Sequence, residues 1–265
     1  MKDNGSILLA AHRGDRKNYP ENTMPAFEAT LEAGVEMIET DVHMTADDQL
    51  VLIHDPNGIR TTGTDCIIPQ MTLEEVRWLD AGKVFSDRFR GVRIPLAEEL
   101  MDLMQHSGLL VNWELKDYPC DVGNERAFAA ADRLADLLIE RGLCEQSMFN
   151  SFSDRVLEHV VQKYGRIFAI HGQGIHRCQR TCDKAAMPQS ELYDWCCLYP
   201  EEAGQSPVLF PENFAYCLEH DVLPCVCIRD ELETYQKAVE LGCRMFTSND
   251  IHEADRILRR LGCRA

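Results

Sequence analysis

The chain has no stretch of eighteen uninterrupted apolar residues, so no segment reads as a membrane-spanning helix. It also lacks an apolar signal region, because Met1-Lys2-Asp3-Asn4-Gly5 leads straight into Ile7. Cytoplasm is the expected location. Positive charge is scarce: 27 Lys and Arg residues stand against 44 Asp and Glu, a formal net charge of −17. A surface that acidic repels nucleic-acid backbones and anionic membranes, so neither is expected as a partner. A small phosphate-bearing molecule stays compatible with it, provided cations are focused in one cleft.

Cysteine, by contrast, is plentiful. Twelve are present, spread through apolar runs, which is the pattern of thiols kept reduced in the cytosol. His171, His176, Cys178 and Cys182 raise the question of zinc, but their spacing fits no common finger, and thiols in apolar runs usually pack.

Apolar residues make up 45% of the 265, enough for a sizeable core. Short apolar runs centred near residues 9, 38, 112, 149, 169, 197, 225 and 246 alternate with helical patterns. Eight such repeats predict a (β/α)8 TIM-type barrel, with residues 1–265 as one domain. A doubly wound open sheet is the alternative. The rhythm breaks at residues 56–95, a turn-rich segment read as a rim insertion after the second strand, with too few apolar residues for a core of its own. Within it, Thr72-Leu73-Glu74-Glu75 reads as a capping box opening a helix through Leu79. The run Leu50–His54 predicts an extra strand beside the second. Residues 172–194 show no clear pattern.

Polar residues able to do chemistry end several of these runs. Glu39 and Asp41 are two apart on a strand and share a face. Two neighbouring carboxylates repel unless a proton or cation lies between them, and oxygen ligands suit a hard dication. Glu114 interrupts an apolar strand, with Lys116 on the same side; the pair is either a buried ion pair or a third metal ligand beside a phosphate-directed cation. His12 and His54 end neighbouring runs and are candidates for proton transfer. Arg13 could hold an anionic oxygen, and Gly14 allows a sharp turn. His43 is expected to be packing, and Asp65 and Asp80 surface residues of the insertion.

Taken in order, His12-Arg13-Gly14, Pro20-Glu21-Asn22-Thr23, Glu39-Thr40-Asp41-Val42, His54-Asp55, Arg60-Thr61-Thr62 and Glu114-Leu115-Lys116 resemble the glycerophosphodiester phosphodiesterase family. The clear likeness runs from about residue 9 to 117. A weaker one continues through Asn150-Ser151-Phe152 and Gly242–Asp250. The resemblance implies a TIM-type barrel with an insertion after the second strand. It implies that Glu39, Asp41 and Glu114 bind one divalent cation, Mg2+ or Ca2+. It implies that His12 and His54 are the acid–base pair and that Arg13 and Lys116 contact phosphate. The substrate would be a small glycerophosphodiester, whose own glycerol hydroxyl attacks phosphorus to give a cyclic phosphate that water then opens. Phe152 and Cys227 would line the substrate pocket. Cys227, in Pro224-Cys225-Val226-Cys227-Ile228-Arg229, stands where such proteins commonly carry a Trp, and Arg229 could enter the pocket and favour a more anionic leaving group. Thr247-Ser248-Asn249-Asp250 likewise departs from the usual Thr-Asp-Xaa-Pro. A lysophospholipid or sugar phosphodiester is the alternative substrate. A non-catalytic binder of phosphate metabolites is the alternative from another class.

Overall fold

Eight parallel strands close on themselves in this computed structural model, which describes residues 6–175, 180–199, 201–203 and 206–264, with only the backbone described at 201–203 and 206–208. The strands, in chain order, are β1 (Leu8–His12), β2 (Met37–Met44), β3 (Leu50–Leu52), β4 (Leu110–Leu115), β5 (Ser147–Ser151), β6 (Ala169–Gln173), β7 (Trp195–Cys197), β8 (Glu201–Ala203), β9 (Ser206–Val208), β10 (Leu223–Cys227) and β11 (Met245–Ser248). The barrel runs β1-β2-β4-β5-β6-β7-β10-β11 and returns to β1, every pairing parallel. All eight predicted strands are barrel strands, and the open sheet is excluded. β3 pairs antiparallel to β2, with Val42 opposite Leu52. It stops two residues short of the predicted His54, which frees His54 to lie on a loop. β8 and β9 form a separate antiparallel hairpin.

Two-residue alternation along each strand sorts the side chains. Leu9, Ala11, Ile38, Val42, Val111, Trp113, Phe149 and Phe246 point outward, into the layer shared with helices such as Met24–Glu32, Ala97–Ser107, Asn124–Glu140 and Ile251–Arg260. Leu8, Ala10, Met37, Met148, Trp195, Cys197, Cys225 and Met245 point inward and fill the lower barrel. The same inward rows end, at the C-terminal mouth, on His12, Glu39, Asp41 and Glu114. In this fold the strands' C-terminal ends are where chemistry is placed.

Three expectations need correction. The segment after β3 does hold a small core: Ile68, Val76, Leu79, Ala81 and Ile94 are buried together with Val51 and Ile53. Residues 56–95 alone look too polar because Val51 and Ile53, from β3 and just past it, complete the cluster. The capping box at Thr72 and Glu75 forms, but its helix ends at Val76 rather than Leu79. The thiols are also not all free. Cys120 and Cys182 are joined as a disulfide, their Cα atoms 5.5 Å apart, because the barrel brings the segments after β4 and β6 side by side. No helix among the described residues is long and apolar enough to cross a membrane.

Candidate active site

β2 and β4 are neighbours in the barrel, registered so that Asp41 lies opposite Glu114. Glu39, Asp41 and Glu114 are all buried, and one oxygen of each lies within 4.8 Å of the others. Both Glu39 carboxylate oxygens are buried without a hydrogen-bond partner. Buried acceptors are normally satisfied, so these two atoms call for a proton or a cation. Burial, then the Asp41 and Glu114 charges, push the Glu39 carboxyl well above the usual carboxylate range. Burial works the same way on Asp41, but Lys116 and Arg13 outweigh it and hold that carboxyl low. Lys116 Nζ lies 3.0 Å from Asp41 Oδ1 and also reaches Glu114. The buried ion pair and the acidic cluster read from the sequence are therefore one structure. Asn22 fixes Asp41 by donating from Nδ2 to Oδ2 at 2.7 Å, while its own Oδ1 accepts from the Thr40 hydroxyl at 2.8 Å. A hard, all-oxygen, preformed donor set of this kind fits Mg2+ or Ca2+.

Beside it, His12 Nε2 lies 3.8 Å from Glu39 Oε2, and Nδ1 lies 2.7 Å from Asn249 Oδ1. An amide oxygen only accepts, so with Asn249 in this orientation Nδ1 carries the proton and Nε2 presents a lone pair to the site. Burial, then the Arg13 cation, lower the His12 ring to about 4. His54 bonds through Nδ1 to Asp55 Oδ1 at 2.6 Å, which leaves its Nε2 unengaged by that contact. His43 is buried as expected, yet it is more than packing: Nδ1 meets Asp117 Oδ1 at 2.7 Å, and Nε2 meets the His54 carbonyl at 3.2 Å. It braces the loop that carries His54.

The turn after β1 depends on left-handed backbone at Arg13, with φ 62°, and at Gly14, with φ 79°. A Cβ at Gly14 would come within 2.8 Å of Ala26 Cβ, so the helix Met24–Glu32 can pack here only against glycine. That turn aims Arg13 inward, with Nε 3.0 Å from Asp41 Oδ2 and an Nη 2.9 Å from Glu21. Glu21 also pairs with Arg16 at 2.9 Å and with both terminal nitrogens of Arg60 at 2.8 and 2.9 Å. Burial would raise the Glu21 carboxyl, but Arg60, Arg13 and Arg16 together hold it at about 2. A cleft of about 270 Å3 opens beside this cluster, between Arg16, Glu21 and Arg60 on one side and Val84 and Phe85 of the insertion on the other.

On the opposite wall, Lys116 Nζ sits 5.7 Å from the centre of the Phe152 ring, which stacks on Tyr199 at 6.2 Å. The Tyr199 hydroxyl donates to Gln173 Oε1 at 2.5 Å. Cys227 is half-buried in the barrel, and Arg229, two residues past it, is exposed. Of the four residues weighed as a zinc set, His171 points into the barrel and Cys182 is bound to Cys120, while His176 and Cys178 lie outside the described residues. Glu21, Arg16, Arg60, Asn249 and Tyr199 were not singled out as site residues. Two were visible as motif positions, in Pro20-Glu21-Asn22-Thr23 and Arg60-Thr61-Thr62. Asn249 could have been found from its place just past β11, the strand beside β1.

Residues 12–189 match the profile of the glycerophosphoryl diester phosphodiesterase family. The chain belongs to that family. A glycerophosphodiester phosphodiesterase of Caldanaerobacter subterraneus is 47% identical over 109 residues, 41% of this chain and 45% of that protein. One of Bacillus altitudinis is 44% identical over 110 residues, again 41% and 45%. The matched stretch thus spans about half the length of these curated relatives. Over the whole fold, the chain resembles a phosphodiesterase of Oleispira antarctica solved in complex with the product sn-glycerol 3-phosphate, with a TM-score of 0.80 at 19% identity over 96% of this chain and 97% of that one. A glycerophosphodiester phosphodiesterase of Agrobacterium tumefaciens gives 0.73 at 21% identity over 94% and 99%.

Proposed function

We propose that this phosphodiesterase-family chain hydrolyses a small glycerophosphodiester to glycerol 3-phosphate and an alcohol. The observation that carries the reading is the buried triad of Glu39, Asp41 and Glu114, with both Glu39 oxygens lacking a hydrogen-bond partner, set beside His12 and two cationic side chains. Glu39, Asp41 and Glu114 would hold one divalent cation, which when bound supplies positive charge for the phosphoryl oxygens. Arg13 and Lys116 bind and orient the phosphate from either side of the carboxylates. His12, neutral at neutral pH and with its Nε2 lone pair facing the site, takes the proton of the attacking glycerol hydroxyl. His54, held by Asp55 through Nδ1, would as the imidazolium give the Nε2 proton to the departing alcohol oxygen. Water then opens the cyclic phosphate so formed, losing its proton to His54, while His12 returns its proton to the released glycerol oxygen. Phe152 and Cys227 line the pocket, and Tyr199 backs Phe152. Residues 56–95 belong to the same domain as its rim, and cytoplasm is the proposed location.

Turnover of glycerophosphocholine should stop on chelation and return with Mg2+ or Ca2+. Full activity of a His12→Ala or Glu39→Ala variant would rule the mechanism out. A second substrate reading has its own support. Val84 and Phe85 are 52% and 44% exposed on the cleft beside Arg16 and Arg60. An apolar wall next to the phosphate site suits a lysophospholipid, whose acyl chain would cover those side chains. Comparing kcat/KM for glycerophosphocholine and a lysophosphatidylcholine decides between the two.

A further inference from the structure

We propose that the barrel interior holds a second, chemically distinct metal site, in which His171, Cys197 and Cys225 bind one thiophilic cation of the zinc(II) or copper(I) type. The inference rests on family membership only for the fold and is independent of the catalytic reading. The three residues come from consecutive barrel strands, β6, β7 and β10, at inward positions. Cys225 is level with Cys197 across the β7–β10 pairing, and His171 lies one inward step lower on β6. All three are buried, at 2%, 3% and 0% exposure. Their donor atoms lie within 4.8 Å of one another, and His171 Nε2 is 3.0 Å from Cys225 Sγ. Two sulfurs and an imidazole in a buried interior form a soft set that favours zinc(II) or copper(I) over Mg2+ or Ca2+. The deprotonated thiols would supply the charge that such an interior must balance.

Asn112, on the far side of the imidazole, provides a second and independent observation. Its Nδ2 is 2.9 Å from His171 Nδ1, while its Oδ1 is buried without a partner. Amide nitrogen and oxygen are placed by inference from their bonds. Turned over, Asn112 would accept from His171 Nδ1–H through Oδ1, with Nδ2 taking the position that lacks a partner, and the Nε2 lone pair would face both sulfurs. Metal-bound imidazoles are oriented in this way, with a carbonyl on the outer nitrogen. Cys227, two residues on from Cys225, separates this soft set from the carboxylates above it.

The test uses the full chain, purified with its thiols reduced. Metal analysis after growth with added zinc, or with added copper, should find about one tightly held equivalent of one of them, surviving dialysis against a mild chelator. Cobalt(II), added with excess Mg2+ to keep the carboxylates filled, should give a thiolate-to-cobalt charge-transfer band. Glu39→Gln and Cys120→Ser/Cys182→Ser should keep that band, whereas Cys197→Ser and Cys225→Ser should lose it. Asn112→Ala should weaken retention by roughly 10- to 100-fold. Because a buried cysteine variant can fail to fold, the metal K-edge absorption spectrum of the unaltered protein is the deciding measurement. A shell with two sulfurs and one imidazole supports the site. No retained metal, an all-oxygen shell, or a band lost with Cys120→Ser/Cys182→Ser instead would overturn it.

Discussion

Asn249 bonds to Nδ1 of His12 across the seam where β11 meets β1, at 2.7 Å, although 237 positions separate the two in sequence. That bond selects which imidazole nitrogen faces the carboxylates. His12 is the proposed general base, and losing such a group costs about 10^2- to 10^4-fold, so His12→Ala should lower kcat by that much. Asn249→Ala should lower kcat by roughly 10-fold while leaving KM nearly unchanged, because ring orientation is lost and binding contacts are not. A steady-state split of kcat from KM checks this, and a pure KM effect would count against the assignment.

Glu39 carries the raised carboxyl among the three acids, through burial and then through Asp41 and Glu114. A cation entering this site must displace that proton. Apparent cation affinity should therefore fall as pH drops, and binding should release protons. Calorimetry in buffers of different ionisation heat measures the release directly. Glu39→Gln should abolish both the release and most of the binding.

Glu21 behaves in the opposite sense. Its carboxyl is lowered from its ordinary 4.5 to about 2, with burial overcome by Arg60, Arg13 and Arg16. The stability it contributes is present above pH 4.5 and lost as pH falls through 2, and its upper size is about 3 kcal/mol. Glu21→Gln should melt well below the unaltered protein at pH 7, and the two should converge near pH 2. Equal melting temperatures at pH 7 would show that the three guanidinium groups find other partners.

The Cys120–Cys182 disulfide closes a loop across a sequence separation of 62. Cross-linking a loop of that length stabilises by up to about 4 kcal/mol in the chain-entropy picture. Thermal melts of the oxidised chain against Cys182→Ala should show a clear loss of melting temperature in the variant. Unchanged melts would mean that the thiols are reduced in the working protein.

The barrel was legible because parallel strands covered on both faces read as apolar runs, and eight of them stood out. The carboxylates were legible because a two-residue spacing survives folding, so Glu39 and Asp41 had to share a face. The Cys120–Cys182 pairing was not, since it depends on where two loops end in space. The same holds for Glu21, whose weight comes from Arg13, Arg16 and Arg60 converging on it from separate segments. His43 looked like packing because its value lies in what it touches, the Asp117 side chain and the His54 carbonyl, and neither is visible from its neighbours in sequence. Asn249 escaped because closure of the barrel sets it against His12.

The small core under residues 56–95 is separate from the one behind the barrel strands, and Val51 and Ile53 anchor it. Val84 and Phe85 can therefore be exchanged with little consequence for the eight-stranded ring. Under the proposed activity, evolution or a designer could retune which alcohol departs by rewriting this one segment, while the carboxylates and His12 beneath it stay as they are.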